Sequence, residues 1–279
     1  MANWSRLGII AGAGALPARI AAKCQALGRP CFVARLPGAS DPALAQYPGG
    51  EFGFGQVEAR FEALRAFGCD CVVFAGQVRR PNLSTLRLDG AGLALLPKFA
   101  IAASKGDDAL QRLLVTSFEA AGFSVLAVEE ILGDALAAAG PLGAISPDAA
   151  ALRDIGKGAA LIAALDAFDV GQGCVVRAGL VLAIEAQEGT DAMLARAAGM
   201  RGDAPFGGVL IKRCKPSQER RIDLPTIGLA TLEGAAGAGL AGIALEAKGA
   251  LIVDAQDVLA RADALGLFVF GFDPADRPS

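Results

Sequence analysis

The chain has 279 residues, of which 53% are apolar and 20% are charged, and its formal net charge is −3. That length accommodates one large domain or two modest ones, and the apolar fraction is typical of a globular protein rather than a disordered one. The slightly acidic balance lacks the basic surface that nucleic-acid binding requires, so we expect no nucleic-acid partner. The longest uncharged stretch, residues 135–147, is shorter than the roughly 20 residues that span a bilayer, so no transmembrane helix is predicted.

The sequence contains no histidine. This excludes Ser-His-Asp and Cys-His nucleophilic catalysis, zinc sites built from imidazole and any histidine proton shuttle. An enzyme with this sequence must take its acids, bases and metal ligands from other side chains. A ligand set made of carboxylates favours a hard cation such as Mg²⁺ over zinc.

The six cysteines show no Cys-x-x-Cys spacing, and most of them lie inside apolar runs. This pattern indicates buried thiols in a reducing compartment. The apolar stretch Leu7–Ala18 fits a first strand and turn better than the core of a signal peptide. We therefore expect a cytoplasmic protein.

Strand-like and helix-like segments alternate through the first half of the chain. The predicted strands are 7–11, 31–36, 71–75 and 124–128, and the predicted helices are 17–27, 57–67 and 107–121. This alternation predicts an open sheet of parallel strands joined by crossover helices, which is a Rossmann-like α/β fold.

A nearly uncharged segment rich in alanine, glycine and proline, from Gly133 to Pro147, is typical of an interdomain connection. We place the boundary near residue 140, between an N-terminal Rossmann-like domain over 1–138 and a C-terminal α/β catalytic domain over 139–279. The second α/β pattern comprises a helix over 148–168, strand-like runs over 174–184 and 208–211, and a closing strand, helix and strand over 242–272. The prediction is two α/β domains with the site in the cleft between them.

A glycine turn, Gly12-Ala13-Gly14-Ala15-Leu16-Pro17, follows the first predicted strand and opens a helix. Its glycines can bring backbone N–H groups close to an anion at the helix N-terminus. It matches the dinucleotide fingerprint incompletely, because Pro17 replaces the third glycine and the second strand offers Arg35 rather than an acid. Contact with a substrate phosphate, NADPH binding and a plain tight turn all stay open.

Two other segments of the first half of the chain place candidate functional residues next to a predicted strand or helix. Gln77 and Arg79 lie directly after the strand 71–75, at the edge where ligands of such sheets bind, and arginine there could hold an anion. A solvated turn is the alternative. Asp107 lies just before a predicted helix, where the simplest role of an aspartate is to cap it.

The strand-to-turn segment from Val181 to Asp191 presents three carboxylates and a hydroxyl within seven residues. These are Glu185, Glu188, Thr190 and Asp191. Such clustering is costly unless a cation or hydrogen-bond donors offset the repulsion, so it indicates a metal or substrate contact. Capping of the next helix by Thr190 or Asp191 is the alternative.

The segment from Lys212 to Gly228 combines five basic residues with two acids and contains two prolines that stiffen it. Lysine and arginine neutralise phosphate oxygens, and Asp223, just before Leu224-Pro225, can hold a metal or position water. These residues suit a diphosphate. An exposed charged loop is the competing interpretation.

At these motifs the sequence resembles the LpxI family of UDP-2,3-diacylglucosamine pyrophosphatases of lipid A biosynthesis. The resemblance extends along the full length, and its specific motifs are Glu185-x-x-Glu188-Gly189-Thr190-Asp191 and Lys215-Pro216-x-Gln218-x-x-Arg221-x-Asp223-x-Pro225-x-x-Gly228. Weaker matches are Gly12-x-Gly14-x-Leu16-Pro17 and Gly106-Asp107-Asp108. Glu219 departs from the aspartate that we expect after Gln218.

The resemblance implies Mg²⁺-dependent hydrolysis of UDP-2,3-diacylglucosamine to UMP and 2,3-diacylglucosamine 1-phosphate, lipid X. It also implies a homodimer, with peripheral access to the inner membrane surface. We expect Asp223, Lys215, Arg221 and Lys212 to be catalytic, and Asp223, Glu188 and Asp191 to hold the metal. The expected substrate-binding residues are Gly12, Gly14, Leu16, Gln77, Arg79, Asp107, Thr190, Gln218 and Thr226.

Two other classes of function remain open at this point. The glycine turn with Arg35 would suit an NADPH-dependent oxidoreductase. A non-catalytic protein that binds a lipid or sugar nucleotide between two lobes would use the segment from Gly133 to Pro147 as a hinge.

Overall fold

A computed structural model of the chain describes residues 4–78, 86–200 and 207–275. The described chain divides into two compact units. The first unit takes the N-terminal part up to Gly133 and, in addition, the short segment Arg221–Asp223. The second unit takes Asp134–Arg220 and the chain from Leu224 onward.

The first unit is built on a five-stranded parallel sheet with the strand order β3-β2-β1-β4-β5. Its strands are β1 (Leu7–Ala11), β2 (Cys31–Arg35), β3 (Gly49–Glu51), β4 (Cys71–Ala75) and β5 (Ser124–Leu126). Its helices are α1 (Leu16–Ala26), α2 (Val57–Phe67), α3 (Gly90–Lys105) and α4 (Asp107–Ala120), with short 3₁₀ turns at Pro42–Gln46 and Val128–Glu130. This arrangement confirms the α/β prediction for the first half.

The apolar runs of the sequence form the buried strands at the centre of this sheet. All five residues of β1 are buried, and Leu7 lies in register with both Cys31 and Cys71 on the flanking strands. On one face the core is aromatic, with the rings of Phe61 and Phe118 packed edge to face at 4.9 Å between centroids. Strands that are buried on both faces need continuous apolar sequence, and this sequence supplies it.

The second unit contains a six-stranded mixed sheet with the order β6-β13-β11-β9-β7-β8 and a two-stranded parallel ladder formed by β10 and β12. Its strands are β6 (Gly140–Pro141), β7 (Gly173–Arg177), β8 (Leu180–Ile184), β9 (Val209–Lys212), β10 (Thr226–Ile227), β11 (Gly242–Glu246), β12 (Leu251–Ile252) and β13 (Phe268–Phe272). Its helices are α5 (Ala149–Leu165), α6 (Gly189–Gly199), α7 (Leu229–Gly237) and α8 (Ala255–Ala264), with a 3₁₀ turn at Asp166–Phe168.

The strand directions bring several strand ends to one edge of this sheet. Strands β9, β11 and β13 are parallel, whereas β7 runs antiparallel to both β8 and β9. The carboxyl ends of β8, β9, β11 and β13 therefore meet at the same edge. This is the edge at which α/β sheets place their ligands.

The apolar run over 174–184 forms a hairpin rather than one strand. Its turn residues Ala178 and Gly179 both have positive φ, 48° and 76°, as a type I′ hairpin turn requires. Asp154 of α5 holds this turn by accepting hydrogen bonds from both backbone N–H groups, at 2.8 and 2.7 Å.

The segment from Gly133 to Pro147, which we expected to connect two domains, is largely integrated into the second unit. The N–H of Ala137 donates to the carbonyl of Ala250, and that of Leu142 donates to Val269, both at 2.9 Å. Strand β6 lies antiparallel beside β13, where a Cβ on Gly271 would lie 1.7 Å from the carbonyl oxygen of Ala138. Small residues serve close backbone packing here.

Within the described residues, no helix is both long enough and apolar enough to span a bilayer.

Candidate active site

Charged side chains are buried at the carboxyl edge of the second sheet. Glu185 follows β8, Lys212 ends β9 and Glu246 ends β11, and their exposed fractions are 7%, 3% and 5%. Burying a charge is unfavourable unless it is paired and hydrogen-bonded. Each of these three groups has such a partner.

Thr190 links Lys212 to Glu185. The ammonium of Lys212 donates to Thr190 Oγ1 at 2.7 Å, and that hydroxyl donates to Glu185 Oε1 at 2.7 Å. The Lys212 nitrogen lies 4.0 Å from the other carboxylate oxygen, Oε2, which has no hydrogen-bond partner among the described residues. A hydroxyl has one proton, so Thr190 accepts from the lysine because it donates to the glutamate.

Helix α6 places Thr190 in this network. The helix begins at Gly189, whose φ is +82°, and no side chain caps its first turn. The capping alternative for Thr190 and Asp191 is therefore not observed. Asp191 is exposed in the first turn, where the helix dipole favours a carboxylate.

Glu188 is engaged by a neighbouring guanidinium. Arg196 donates to the carboxylate of Glu188 and also to the carbonyl of Ile184, the latter at 3.1 Å. A hydrogen bond from its own backbone N–H and then the one from Arg196 lower the pKa of Glu188.

The basic segment after β9 is fixed by buried polar contacts. The ammonium of Lys215 pairs with Asp169. The amide of Gln218 is buried and closes the loop, because its Oε1 accepts from the N–H of Lys215 at 3.0 Å and its Nε2 donates to Gln172 at 3.1 Å. The loop is therefore built into the unit rather than being an exposed charged segment.

Glu246 holds two arginines of the same segment. Its Oε2 lies 3.3 Å from Nε of Arg213, and its Oε1 lies 3.4 Å from Nη1 of Arg220. Arg213 also donates to the carbonyl of Ala159, and Arg220 to that of Lys248. This carboxylate thus holds Arg213 and Arg220 of the basic segment in place.

The next three residues belong to the first unit. Asp223 Oδ2 accepts a 2.7 Å hydrogen bond from Gln111 of α4, and Arg221 donates to Glu119 at 2.8 Å. Ile222 packs against the aromatic core of that unit. The chain then returns to the second unit, where Thr226 lies in β10 and donates to the carbonyl of Leu224 at 3.0 Å.

The glycine turn packs against a second turn at the carboxyl edge of the first sheet. Ala13 and Gln77 exchange two backbone hydrogen bonds, at 2.8 and 2.9 Å. A Cβ on Gly12 would lie 2.6 Å from the carbonyl oxygen of Gln77, and Gly14 has a φ of +91°. Close backbone contact therefore requires Gly12.

The other predicted residues of the first unit lie in or near its helices. Leu16 is buried at the start of α1. Asp107 lies in the first turn of α4, where Gly106 is the N-cap and no side-chain cap is formed. Arg79 lies outside the described residues.

Within the parts of the chain that the structure describes, no three acidic or cysteine side chains are gathered so that they could hold a metal ion. The assignment of Asp223, Glu188 and Asp191 as ligands therefore stays a prediction.

All six cysteines are buried and free, which confirms the prediction of buried thiols. Burial and then the charge of Glu185 raise the pKa of Cys174 to about 12, and burial is the main reason why the pKa of Cys69 is raised to about 11. Nucleophilic cysteine chemistry needs a lowered pKa, so these two thiols are unsuited to it.

Several of these hydrogen-bond and ion-pair partners were not assigned a role from the sequence. They are Glu246, Asp169 and Gln111. The sequence could have indicated a role for Glu246, since an acid that ends the buried apolar strand Gly242–Glu246 needs a cationic partner. Nothing in the sequence indicates the role of Gln111, because its partner is 112 residues distant.

Buried ammonium–carboxylate contacts at the ends of sheet strands, in a chain of two α/β units, are typical of an α/β enzyme. A family model described as the LpxI N-terminal domain matches residues 6–135, and one described as the LpxI C-terminal domain matches residues 138–270. A relative from Caulobacter vibrioides, UDP-2,3-diacylglucosamine pyrophosphatase LpxI, is 50% identical over 278 residues, which cover 98% of this chain and 99% of the relative. The chain belongs to the LpxI family.

Proposed function

We propose that this enzyme hydrolyses the diphosphate of UDP-2,3-diacylglucosamine to UMP and 2,3-diacylglucosamine 1-phosphate, lipid X, in lipid A biosynthesis. The observation that carries the proposal is the 50% identity, along 98% of the chain, to the UDP-2,3-diacylglucosamine pyrophosphatase LpxI of Caulobacter vibrioides. The buried cations at the end of β9 agree with a substrate that carries a diphosphate.

The proposed reaction is attack of water on the β-phosphorus, on the sugar side. A bond forms between the water oxygen and that phosphorus, and the bond from the phosphorus to the bridging oxygen breaks. UMP leaves with the bridging oxygen, and the attacking water loses a proton to the surroundings. Negative charge therefore builds up on the bridging and β-phosphate oxygens.

The lysines are suited to offset this charge. Lys212 and Lys215 are each held by a carboxylate or by a hydroxyl that a carboxylate orients, so neither ammonium needs to reorganise during the reaction. Preorganised charges of this kind contribute the largest single part of many rate enhancements. Arg221 and Asp223 are proposed to be catalytic as well, with Asp223 orienting the attacking water.

Magnesium dependence is part of the proposal. Mg²⁺ commonly binds through one or two carboxylates together with substrate phosphates, so a resident three-carboxylate site is not needed for it. When bound, the ion would neutralise diphosphate charge. The carboxylates proposed to hold it are those of Asp223, Glu188 and Asp191.

The lipid part of the substrate is proposed to dominate affinity, since each buried methylene contributes about 0.8 kcal/mol. Homodimerisation and peripheral access to the inner membrane surface are proposed from the family resemblance alone, and a cytoplasmic location is proposed from the pattern of buried cysteines.

The test is release of UMP from UDP-2,3-diacylglucosamine by the purified full chain, with and without excess chelator. We expect UMP and lipid X in equal amounts with Mg²⁺ and none with the chelator. UDP-N-acetylglucosamine, which has the diphosphate but no long acyl chains, is the matched control and should react far more slowly. Saturable substrate binding without product would contradict the proposal and favour a carrier.

A further inference from the structure

We propose that Glu185 is a positioning residue for this reaction, acting on Lys212 through the hydroxyl of Thr190. The inference rests on the proposed function, because it concerns the same site. It adds a role for a carboxylate that makes no direct contact with the ammonium closer than 4.0 Å.

The Lys212 ammonium and the Glu185 carboxylate each make a 2.7 Å hydrogen bond to the same hydroxyl oxygen. Because the hydroxyl proton points to Glu185, a lone pair of Thr190 is left facing Lys212. Glu185 thereby orients the Thr190 hydroxyl so that its oxygen accepts the hydrogen bond from Lys212.

Two glycines leave space for the Glu185 carboxylate and its backbone. A Cβ on Gly173 would lie 2.4 Å from Glu185 Oε2, and a Cβ on Gly171 would lie 1.9 Å from its carbonyl oxygen. The N–H of Glu185 donates to the carbonyl of Gly173 at 2.9 Å. Only glycine fits at these two positions with the glutamate where it is, so the fold accommodates a charged group at this point.

The side chain of Lys212 is 4% exposed and that of Glu185 is 9% exposed, so water screens neither charge well. A buried ammonium is stable only with a counter-charge and hydrogen bonds. Removal of the negative charge would allow the lysine to leave its position even though the hydroxyl remained.

The experiment compares Glu185→Gln, Thr190→Val and Thr190→Ser in the full chain. Glu185→Gln keeps the size and removes the charge, and Thr190→Val keeps the shape and removes the bridge, whereas Thr190→Ser keeps the hydroxyl. We expect kcat to fall about 10-fold to 100-fold in the first two variants, as is typical when the partner of a functional group is removed. KM should stay within about threefold of the parent value, because the interaction that is lost is one made only in the transition state. Thr190→Ser should retain most of kcat, because it keeps the hydroxyl.

The double variant Glu185→Gln with Thr190→Val tests whether Glu185 acts on Lys212 through Thr190 or whether the two residues act separately. If Glu185 acts through Thr190, the two losses do not multiply, and kcat of the double variant stays within about twofold of the worse single variant. Multiplied losses would show that Thr190 and Glu185 act separately, which would overturn the inference.

Asp154→Asn is the matched control for a structural role. Asp154 is also buried in the second unit, at 5% exposure, but it holds the hairpin turn at the opposite edge of the same sheet. We expect this variant to melt at a lower temperature with an unchanged kcat below its transition. If Glu185→Gln behaves in the same way, the role of Glu185 is structural and the inference is wrong.

A readout without substrate keeps this test separate from that of the proposed function. Acylation of lysines by an N-hydroxysuccinimide ester, followed by peptide mass spectrometry, gives the reactivity of Lys212 relative to the exposed Lys248. We expect Lys212 to be protected in the parent chain and to react faster in Glu185→Gln and Thr190→Val. Unchanged protection would overturn the inference, whether or not the parent chain releases UMP. A parent chain that releases no UMP contradicts the proposed function alone.

Discussion

Gln111 donates a 2.7 Å hydrogen bond from its Nε2 to Oδ2 of Asp223, although the two residues are 112 positions apart in the chain. Together with the burial of Ile222 against the aromatic core, this contact fixes Asp223 on the first unit. The amide of Gln111 therefore orients the Asp223 carboxylate.

Replacement of Asp223 by alanine should lower kcat about 10²-fold to 10³-fold, or roughly 3 to 4 kcal/mol, which is the usual loss for one positioned group. Gln111→Leu removes only the orienting hydrogen bond and should lower kcat by about tenfold. Steady-state UMP release measures both effects, and circular dichroism checks the fold. Near-normal turnover by folded Asp223→Ala would exclude Asp223 from the mechanism.

Glu246→Gln should destabilise the second unit by about 3 kcal/mol, because it leaves the half-buried guanidinium of Arg213 without its counter-charge. Arg220→Ala removes only the more exposed partner, whose side chain is 49% exposed, and should cost about 1 kcal/mol or less. Urea unfolding of the two variants gives both values. Equal losses of unfolding free energy in the two variants would show that burial does not decide the strength of the ion pairs that Glu246 forms.

Gly12→Ala should destabilise the first unit by about 1 to 3 kcal/mol, since the new methyl group would lie 2.6 Å from the carbonyl oxygen of Gln77. The matched control is Gly237→Ala near the end of α7, where no atom lies within 4 Å of the added Cβ. There we expect a gain of up to about 1 kcal/mol. Denaturant midpoints measure both changes, and a neutral Gly12→Ala would show that the two turns can separate at little cost.

The pH dependence of stability can be tested at Asp70. Partial burial alone would raise the pKa of this carboxyl, but hydrogen bonds from the backbone of Arg6 and Ser5 and from the Ser5 hydroxyl, at 3.0 to 3.1 Å, lower it. A lowered folded-state pKa stabilises the fold above the unfolded value of 3.8, and this contribution is lost as the pH falls through the folded value.

Asp70→Asn should therefore cost about 1 kcal/mol at neutral pH, and the difference from the parent chain should shrink as the pH falls below about 4. Urea unfolding at a series of pH values measures this. A difference that stays constant down to pH values of about 3 would show that the charge of Asp70 does not matter.

Much of the fold follows from local signals in the sequence. The helix 57–67 and the strand 71–75 were predicted with the bounds that α2 and β4 have, because an amphipathic period and a continuous apolar run are both short-range patterns. Helix α3 was not predicted. It contains Pro97, and its largely apolar sequence gives no clear stripe at a helical period.

The site is predictable only in part, for a physical reason. Lys212 and Thr190 were recognised because each lies at the end of a strand-like run or in the turn after it. Their contact depends on the antiparallel strand β7, which separates β8 from β9 in the sheet, and strand pairing is not a local property. The fixing of Asp223 by Gln111 depends likewise on the return of the chain to the first unit.

The most direct measurement of the central claim is hydrolysis of UDP-2,3-diacylglucosamine in ¹⁸O-labelled water, with mass spectrometry of both products. We predict one ¹⁸O atom in the phosphate of lipid X and none in UMP, because water attacks the β-phosphorus. Label in UMP would contradict attack on the sugar side, and the absence of both products would contradict the proposed hydrolysis itself.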